Sequence, residues 1–462
     1  MSRRQKTEEK TIVELNSLGQ INLDAAGLDI GAEEIYACVP EGRAPNPVRH
    51  FGTCTADLHA LAHWLSSCSV TTVAMESTGV YWIPAYEVLS DSGFEVYLIN
   101  ARHIKNVPGK KTDVLDCQWI QQLHTYGLLQ ASFRPDEDIC ALRALVRHRD
   151  SLIRCRATHI QHMQKALEQM NLKLVNVVAD ITGQTGMRII RAILQGERDP
   201  FVLSSYRNPG CAKSEEEIAR ALEGHYRDEH LFTLRQALEL YDVYTQKLRA
   251  CDDEIQAKYA AFKPSIDVKR DRLPAPRQRP RPGKDNAPHF DLRAELYQMA
   301  GVDLTQIDGV NVLTAQAVLS EIGLDMSRWP TAKHFASWLS LCPNNQITGG
   351  KIKRRGRRKT KNRAAQALRM AAQSLNRSQS ALGAFYRRLR AKHGAEIANV
   401  ATAHKLARII YFMLKNKTPY RDIGIEEYDA KYRERRVSSL QRQAKQLGFR
   451  LEPALSLNMV SW

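Results

Sequence analysis

The stretch Gly27-Leu28-Asp29-Ile30-Gly31 decides how the first part of the chain folds. Its small and branched residues predict the end of a buried strand, which packs closely against its neighbours and carries the Asp29 carboxylate at its tip. An Asp-x-Gly pattern alone is more often a simple turn. The interpretation therefore depends on further acids downstream, and three of them occur, at Glu76, Asp113 and Asp116.

Around this strand, short apolar segments alternate with helical patterns from residue 23 to residue 130. Strands are predicted over 26–31, 35–39, 48–53, 71–76 and 94–100, and helices over 56–67, 81–92 and 114–128. Short turns join the first three strands into an antiparallel meander, and the later helices act as crossovers to the last two strands. The order β-β-β-α-β-α-β-α predicts an α/β ribonuclease-H-like domain of the RuvC type.

The remaining chain is predicted to be mostly helical. Apolar residues from Ile139 to Leu174 recur with a spacing near 3.5, interrupted by Arg149 and Arg156, and a second long helix is predicted over 214–262. These helices and the insert between them (together 137–262) predict either an antiparallel hairpin or a dimerising stalk. The other segments are a flexible leader (1–22), a Pro- and Arg-rich linker (263–288), a basic helical domain (289–440) and a tail (441–462).

Positive charge dominates the composition, since 67 Lys and Arg residues stand against 50 Asp and Glu residues, for a formal charge of +17. The excess favours a polyanionic partner, and nucleic acid ranks ahead of a membrane surface because no apolar run is long enough to span a bilayer. The charged N-terminus lacks the apolar segment of a signal peptide. Nine scattered cysteines without a Cys-x-x-Cys spacing are typical of reduced thiols in a cytoplasmic protein and argue against a zinc site.

Four carboxylates form the candidate catalytic site. Asp29 and Glu76 end two predicted strands, and Asp113 and Asp116 lie three residues apart on one face at the start of a helix. Clustered carboxylates favour divalent cations, and two such cations can activate a nucleophile and stabilise a leaving oxygen in phosphoryl transfer. Taken singly, Asp113 is equally well explained as a helix N-cap, Asp116 as a solvated helix residue and Glu76 as a surface acid. Sugar kinases and actin-like ATPases also begin with an Asp-x-Gly strand, but they add a second copy of the domain that this sequence does not contain.

The C-terminal half carries three candidate phosphate contacts. Gly309 and Asn311 lie in a turn before an Ala-rich helix, which resembles a helix-hairpin-helix, although an ordinary helical hairpin gives the same pattern. Thr348 precedes two glycines and Lys351, where the backbone can approach a phosphate. The segment 351–361 holds eight cations in eleven residues, and the helix after it favours a phosphate-gripping arm over a solvated tail. The candidate contacts are the eight cations of this segment and the first arginine after it, namely Lys351, Lys353, Arg354, Arg355, Arg357, Arg358, Lys359, Lys361 and Arg363.

Further cations continue this basic surface towards the C-terminus. Tyr386, Tyr411 and Tyr420 are interleaved with them and can stack on bases, although core packing is the more frequent use of such residues.

Together, these segments resemble the insertion-sequence transposases of the IS110 and IS1111 group, the bridge-RNA-guided recombinases. The matching segments are 27–31 (GLDIG), 74–79 (AMESTG), 111–116 (KTDVLD), 307–310 (IDGV) and 342–351 (CPNNQITGGK). The resemblance implies a RuvC-like DEDD domain with Asp29, Glu76, Asp113 and Asp116 as ligands of Mg²⁺ (two ions per site) or Mn²⁺, a coiled coil for assembly and a C-terminal transposase domain with a nucleophilic serine. It also implies a homotetramer with a composite active site, bound to a structured noncoding guide RNA and to donor and target double-stranded DNA, in a bacterial cytoplasm at the nucleoid.

The chain departs from this family at the nucleophile, because Thr348 stands where the family has serine. Three explanations are open: Thr348 is a working nucleophile, this copy is slow or inactive, or the alignment is shifted by one residue. The resemblance thus implies an RNA-guided DNA recombinase that acts through a covalent protein–DNA phosphate intermediate. The alternatives are a catalytically impaired RNA- and DNA-binding assembly protein, and a metal-dependent junction nuclease that forms no covalent intermediate.

Overall fold

The computed structural model describes residues 19–77, 79–100, 113–267, 270–277, 286–349, 351–354, 356 and 362–452. The chain divides between Arg134 and Pro135 into two compact units. Of the predicted segments, most of the leader, part of the linker and the end of the tail lie outside the described residues. None of the described helices combines the length and the apolar character needed to cross a membrane.

The first unit is built on a mixed five-stranded sheet with the strand order β3-β2-β1-β4-β5. Its elements are β1 (Ala25–Ile30), β2 (Glu34–Cys38), β3 (Val48–Gly52), α1 (Thr55–Ser67), β4 (Thr72–Glu76), α2 (Trp82–Asp91), β5 (Glu95–Ile99) and α3 (Asp113–Thr125). The first three strands pair antiparallel, whereas β4 is parallel to both β1 and β5. The observed strands confirm the predicted ones to within one residue, and the topology is consistent with a ribonuclease-H-like fold.

Successive residues of β1 point to opposite sides of the sheet, and the two faces of the sheet pack against different helices. One face joins the main core with α1 and α2 through Ala26, Leu28 and Ile30. The other face is covered by α3, and Gly27 allows the helix to lie directly on the strand: a Cβ atom at this position would be 2.3 Å from the backbone nitrogen of Gln121 and 2.5 Å from the carbonyl oxygen of Cys117. The glycine in the opening motif is therefore explained by a helix crossing at backbone contact distance.

The second unit begins with two long helices, α4 (Glu137–Gln169) and α9 (Asp228–Ala261). Near one end, the Cys251 thiol donates to the carbonyl oxygen of Leu145, and near the other end Leu167 and Leu234 share a core cluster. These contacts make the helices antiparallel, so the chain forms the hairpin, one of the two predicted arrangements. Most of the predicted seam is buried, at Ile139, Leu142, Val146, Met163, Leu167, Met170 and Leu174.

Both arginines that interrupt the seam have partners. The buried Arg149 forms an ion pair with the buried Asp252 of α9. The guanidinium of Arg156 lies 5.9 Å from the ring centroid of Tyr241 and donates to the Asn286 side chain at 2.7 Å. The hairpin therefore keeps its register by a buried charge pair as well as by apolar packing.

The prediction of one helix over 214–262 is wrong in its first part. The segment forms α8 (Glu215–Ala221) and then turns before α9 begins at Asp228. The turn returns to the end of α4: His225 donates its backbone N–H to the carbonyl oxygen of Met170 at 2.9 Å, and a Cβ atom at Gly224 would be 2.4 Å from the same oxygen. The insert before it contains α5 (Leu174–Val177), α6 (Gln184–Gln195) and α7 (Pro200–Ser204).

The rest of the second unit is mostly helical, as predicted, but it also contains a small β-hairpin. Its elements are α10 (Leu292–Ala300), α11 (Val312–Ile322), α12 (Ala332–Trp338), β6 (Gln346–Thr348), β7 (Lys351–Arg354), α13 (Arg363–Ser374), α14 (Ala381–His393), α15 (Ala395–Asn416) and α16 (Gly424–Gln446). The described part of the linker packs on α10, since the Ser265 hydroxyl donates to the carbonyl oxygen of Met299 at 2.6 Å and Arg293 donates to that of Pro274 at 2.7 Å.

Candidate functional site

The carboxyl ends of β1 and β4 place two candidate acids side by side. Leu28 pairs with Met75 in the parallel register, so the next two positions are Asp29 and Glu76. Leu28 and Met75 point into the main core. Because side chains alternate along a strand, Asp29 and Glu76 belong to the other face, the one that α3 covers. Both acids are half-buried.

The helix α3 brings the other two acids to the same end of the sheet. It runs antiparallel to β1, because the Gln121 side chain donates to the carbonyl oxygen of Ala25 at 3.3 Å while the earlier Cys117 lies over Gly27. Asp113 and Asp116 occupy the first turn of the helix, beyond Cys117. All four predicted acids therefore approach the same edge, which we call the acid edge (Asp29, Glu76, Asp113 and Asp116).

Two titratable neighbours respond to these carboxylates. A hydrogen bond to Glu34 raises the pKa of the Tyr36 hydroxyl, and the charge of Asp113 raises it further. Tyr36 is the antiparallel partner of Asp29 in the sheet. The pKa of the buried Cys117 thiol is raised by its hydrogen bond with Cys38, by burial and by the charge of Asp29. The negative charges of Asp29 and Asp113 thus act on adjacent groups at one edge.

The chemistry of the acid edge fits a divalent cation, because carboxylate oxygens are the ligands that Mg²⁺ prefers. Within the described ranges, however, no three His, Cys, Asp or Glu side chains are grouped as they would be around a metal ion. The four acids share an edge without forming a closed ligand set, and the metal remains a prediction.

Thr348 lies at the tip of the β6–β7 hairpin, in the second unit. It is the last residue of β6 and pairs with Lys351 across the hairpin. Gly349 follows with φ of +55°, a left-handed conformation that tight hairpin turns require and that glycine adopts without steric cost. The Thr348 side chain is exposed, as are those of Lys351 and Lys353. Since directly paired residues share one face of a hairpin, Lys351 places an ammonium group on the same side as the hydroxyl.

The turn that resembles a helix-hairpin-helix is packed and capped within its own unit. The Asn311 side chain accepts a hydrogen bond from the backbone N–H of Thr314 at 2.8 Å and so caps α11. Gly309 has φ of +82°, and a Cβ atom there would be 2.6 Å from the carbonyl oxygen of Ala371 in α13. Packing explains the glycine, and a phosphate contact by Gly309 or Asn311 stays a prediction.

The basic segment before α13 is described only in part. Arg355, Arg357, Arg358, Lys359 and Lys361 lie outside the described residues. Arg354 ends β7, and Arg363 begins α13. The guanidinium of Arg363 donates to the carboxylate of Asp150 in α4 at 2.8 Å, so part of its charge is already compensated within the unit.

One aromatic residue that the sequence singled out meets a cation, since the Lys415 ammonium lies 5.5 Å from the ring centroid of Tyr411 and donates to its hydroxyl at 3.2 Å. Tyr386 and Tyr411 are buried in the core. Two tyrosines that the sequence did not single out also meet a cation, because the guanidinium of Arg388 lies 3.5 Å from the ring centroid of Tyr432 and 4.8 Å from that of Tyr428. The two tyrosines are four residues apart on α16, so their helical spacing was the sequence signal for a shared face.

Two family models match the chain. The model of the DEDD-type IS110 transposases, described as a transposase, matches residues 26–172, and a model described as a transposase of the IS116/IS110/IS902 family matches residues 302–387. The chain belongs to the IS110/IS116 family of transposases. The first family match contains the acid edge, and the second contains Thr348 and the basic segment.

The chain is also similar to a curated protein of Pseudomonas aeruginosa that is named a probable family 20 transposase. The two are 28% identical over 123 residues, which cover 26% of this chain and 36% of that protein. The chain thus spans about a third of the length of this relative.

Proposed function

We propose that this IS110-family chain is the recombinase of an insertion sequence, which cuts and rejoins donor and target DNA through a covalent protein–DNA intermediate. The observation that carries the proposal is the approach of Asp29, Glu76, Asp113 and Asp116 to one edge of the sheet, within the segment that matches the DEDD-type family model. The net charge of +17 supports a nucleic acid as the substrate.

In the proposed reaction, the hydroxyl oxygen of Thr348 attacks a DNA phosphorus. The Thr348 oxygen loses its proton and forms a bond to phosphorus, while the bond from phosphorus to the departing sugar oxygen breaks and that oxygen takes up a proton. The hydroxyl end of the exchanging strand then attacks the same phosphorus, which restores a phosphodiester and the Thr348 hydroxyl. The exposed Lys351, paired with Thr348, offsets the charge of the phosphate. The branched methyl group of threonine crowds this attack, so we expect serine to react at least as fast.

The acid edge would hold one or two Mg²⁺ ions, with Mn²⁺ as the alternative. Such an ion, when bound, supplies stabilisation of the charge that develops on the leaving oxygen. The acids and Thr348 belong to different units. The proposal therefore includes an assembly step that brings the hydroxyl to the acids and closes the acids around the metal.

A structured noncoding RNA is the proposed guide, and pairing of its loops with donor and target DNA would select the sites. The basic segment and the family resemblance support this part of the proposal. Assembly into a tetramer is supported by apolar side chains that remain exposed on one side of α9, at Phe232, Leu240 and Val243.

A denaturing gel tests the proposed chemistry. Protein is mixed with labelled donor and target DNA, Mg²⁺ and the transcript that flanks the element. We expect wild type and Thr348→Ser to give a covalent adduct and joined products, whereas Thr348→Ala gives neither. Asp29→Asn should abolish both while DNA binding persists. Thr233→Ala, which removes an exposed hydroxyl from α9, is the matched control and should react like wild type.

Each other result has a defined meaning. An adduct with Thr348→Ala would refute the nucleophile assignment. Nicked ends without an adduct would indicate a junction nuclease, and unchanged DNA would indicate an assembly protein. Sequencing the RNA that copurifies with the protein tests guidance, which would be refuted if no discrete transcript of the element were recovered.

A further inference from the structure

A cavity of about 290 Å³ lies between α14 and α16 in the second unit. We call it the α14–α16 pocket and define it by Arg388, Lys392, His393, Tyr428, Tyr432 and Arg435. Its wall combines aromatic rings with cationic groups. The family match ends at residue 387, so this pocket lies almost entirely beyond the matched segment.

The aromatic side of the pocket is held in place before any ligand arrives. Arg388 lies against the Tyr432 ring, donates to the Tyr428 hydroxyl at 2.9 Å and donates to the Asp429 carboxylate at 2.5 Å. Tyr428 is buried and Tyr432 is half-exposed. Tyrosine rings and guanidinium planes are the surfaces on which unpaired bases stack. The fixed Arg388–Tyr432 pair therefore offers a prepared stacking platform.

The second feature of the pocket is an excess of positive charge around it. The Lys405 ammonium lies 4.4 Å from the Phe385 ring centroid and 5.2 Å from that of Tyr428. Burial lowers its pKa, and the charges of Arg435, Arg388 and Arg408 lower it further, against the opposing charge of Asp422. Cations gathered at this density repel each other, and a bound anion relieves the repulsion. Lys392 and Arg435 are exposed at the rim, where a phosphate would meet them.

We propose that the α14–α16 pocket binds one nucleotide of a single-stranded nucleic acid, with the base against Tyr432 and Arg388 and the phosphate at Lys392 and Arg435. The cavity volume of about 290 Å³ lies just below the range of about 300–1,000 Å³ for small-molecule sites, which fits one nucleotide and no larger ligand. A duplex is excluded because its bases are already stacked and paired. Which strand provides the nucleotide rests on the proposed function, in which the candidates are the guide RNA and single DNA strands displaced during recombination.

Fluorescence anisotropy with the full chain in EDTA tests this site. The probes are a short unstructured RNA, a DNA strand of the same sequence and the corresponding DNA duplex. We expect Tyr432→Ala to weaken single-strand binding about 5- to 100-fold, and Tyr432→Phe to retain it, because the ring carries the stacking. Duplex binding should change little. Thermal unfolding of both variants checks that they fold, and we expect midpoints near wild type because Tyr432 is half-exposed.

The phosphate contact has its own matched pair of variants. Arg435→Gln should weaken single-strand binding and reduce the slope of log affinity against log salt by about one. Arg442→Gln removes the same charge from an exposed position on the same helix, outside the pocket, and should leave both quantities near wild type. Equal losses for Arg435→Gln and Arg442→Gln, an unchanged Tyr432→Ala, or an equal loss of duplex binding would overturn the proposal in favour of a general basic surface.

The probes also identify the source of the nucleotide. If Tyr432→Ala weakens the binding of RNA more than that of the DNA strand, the nucleotide belongs to the guide RNA. If it weakens the binding of the DNA strand more, the nucleotide belongs to displaced DNA. Equal losses of affinity indicate a site for any single strand. The assay needs neither metal nor the Thr348 hydroxyl. A failure of the proposed chemistry therefore leaves the binding result standing.

Discussion

Replacing Gly27 with alanine tests whether the packing of α3 on β1 positions the acid edge. The new Cβ atom would be 2.3 Å from the backbone nitrogen of Gln121 and 2.5 Å from the carbonyl oxygen of Cys117. Non-bonded heavy atoms need a separation of about 3.5 Å, so α3 has to move outward by about 1 Å. Both obstructing atoms belong to the helix backbone, and no change of rotamer can relieve the clash.

We expect Gly27→Ala to lower the free energy of unfolding by about 3 kcal/mol, the upper end of the usual cost of overpacking. Asp113 and Asp116 move with α3, and a shift of this size in a catalytic group typically reduces the rate by about 100-fold. Urea denaturation followed by circular dichroism measures the first effect, and the covalent adduct gel measures the second.

Gly210→Ala is the matched control, because a Cβ atom there would meet only the Asn208 side-chain oxygen, at 3.4 Å. It should change neither stability nor activity appreciably. If Gly27→Ala lost less than about 1 kcal/mol and kept its activity, the contact between α3 and β1 would not position the acids.

Two further predictions concern buried charges. Burial lowers the pKa of His124 to about 4. Between about pH 6.5 and about pH 4, His124 is protonated in the unfolded state but neutral in the folded state. The free energy of unfolding therefore has its full value above about pH 6.5 and falls by about 3 kcal/mol as the pH is lowered to about 4. Urea denaturation at several pH values should show a smaller fall for His124→Gln, and an unchanged profile would contradict this. Arg149→Ala should cost about 3 kcal/mol in the same assay, because it removes the buried guanidinium and leaves the buried Asp252 only the exposed His289, whose Nδ1 lies 3.5 Å away. Arg149→Met combined with Asp252→Leu should be near neutral, and equal losses would contradict the pairing.

The sheet and the acid edge could be predicted because local patterns determine them. Alternation along β1 and the crossovers to β4 and β5 specify which strands are neighbours, and Asp29 and Glu76 follow as the ends of adjacent parallel strands. The spacing of Asp113 and Asp116 likewise specifies one helix face. What the pattern could not specify is the distance of α3 from the sheet, which depends on Gly27 meeting residues about ninety positions later in the chain.

The errors in the second unit have the same origin. The helical pattern over 214–262 is locally consistent, but the chain turns at Gly224 because it meets Met170, more than fifty residues earlier. Arg149 looked like an interruption of an apolar seam, and its buried partner Asp252 lies on another helix. Periodicity identifies residues that share a face, but it does not show what the face meets. For that reason it could not separate the buried Tyr411 from Tyr432, which lies at a cationic pocket.

The division into two units allows binding and chemistry to be separated by experiment. The acid edge belongs to the first unit, and the α14–α16 pocket belongs to the second. Gly27→Ala should therefore slow adduct formation by about 100-fold while the anisotropy with single strands stays at the wild-type value. Tyr432→Ala should weaken single-strand binding and leave the urea stability of the first unit unchanged, because Tyr432 belongs to the second unit. A loss of single-strand binding in Gly27→Ala would mean that the acid edge and the pocket are energetically coupled, and the pocket would then be part of the machinery that assembles the site.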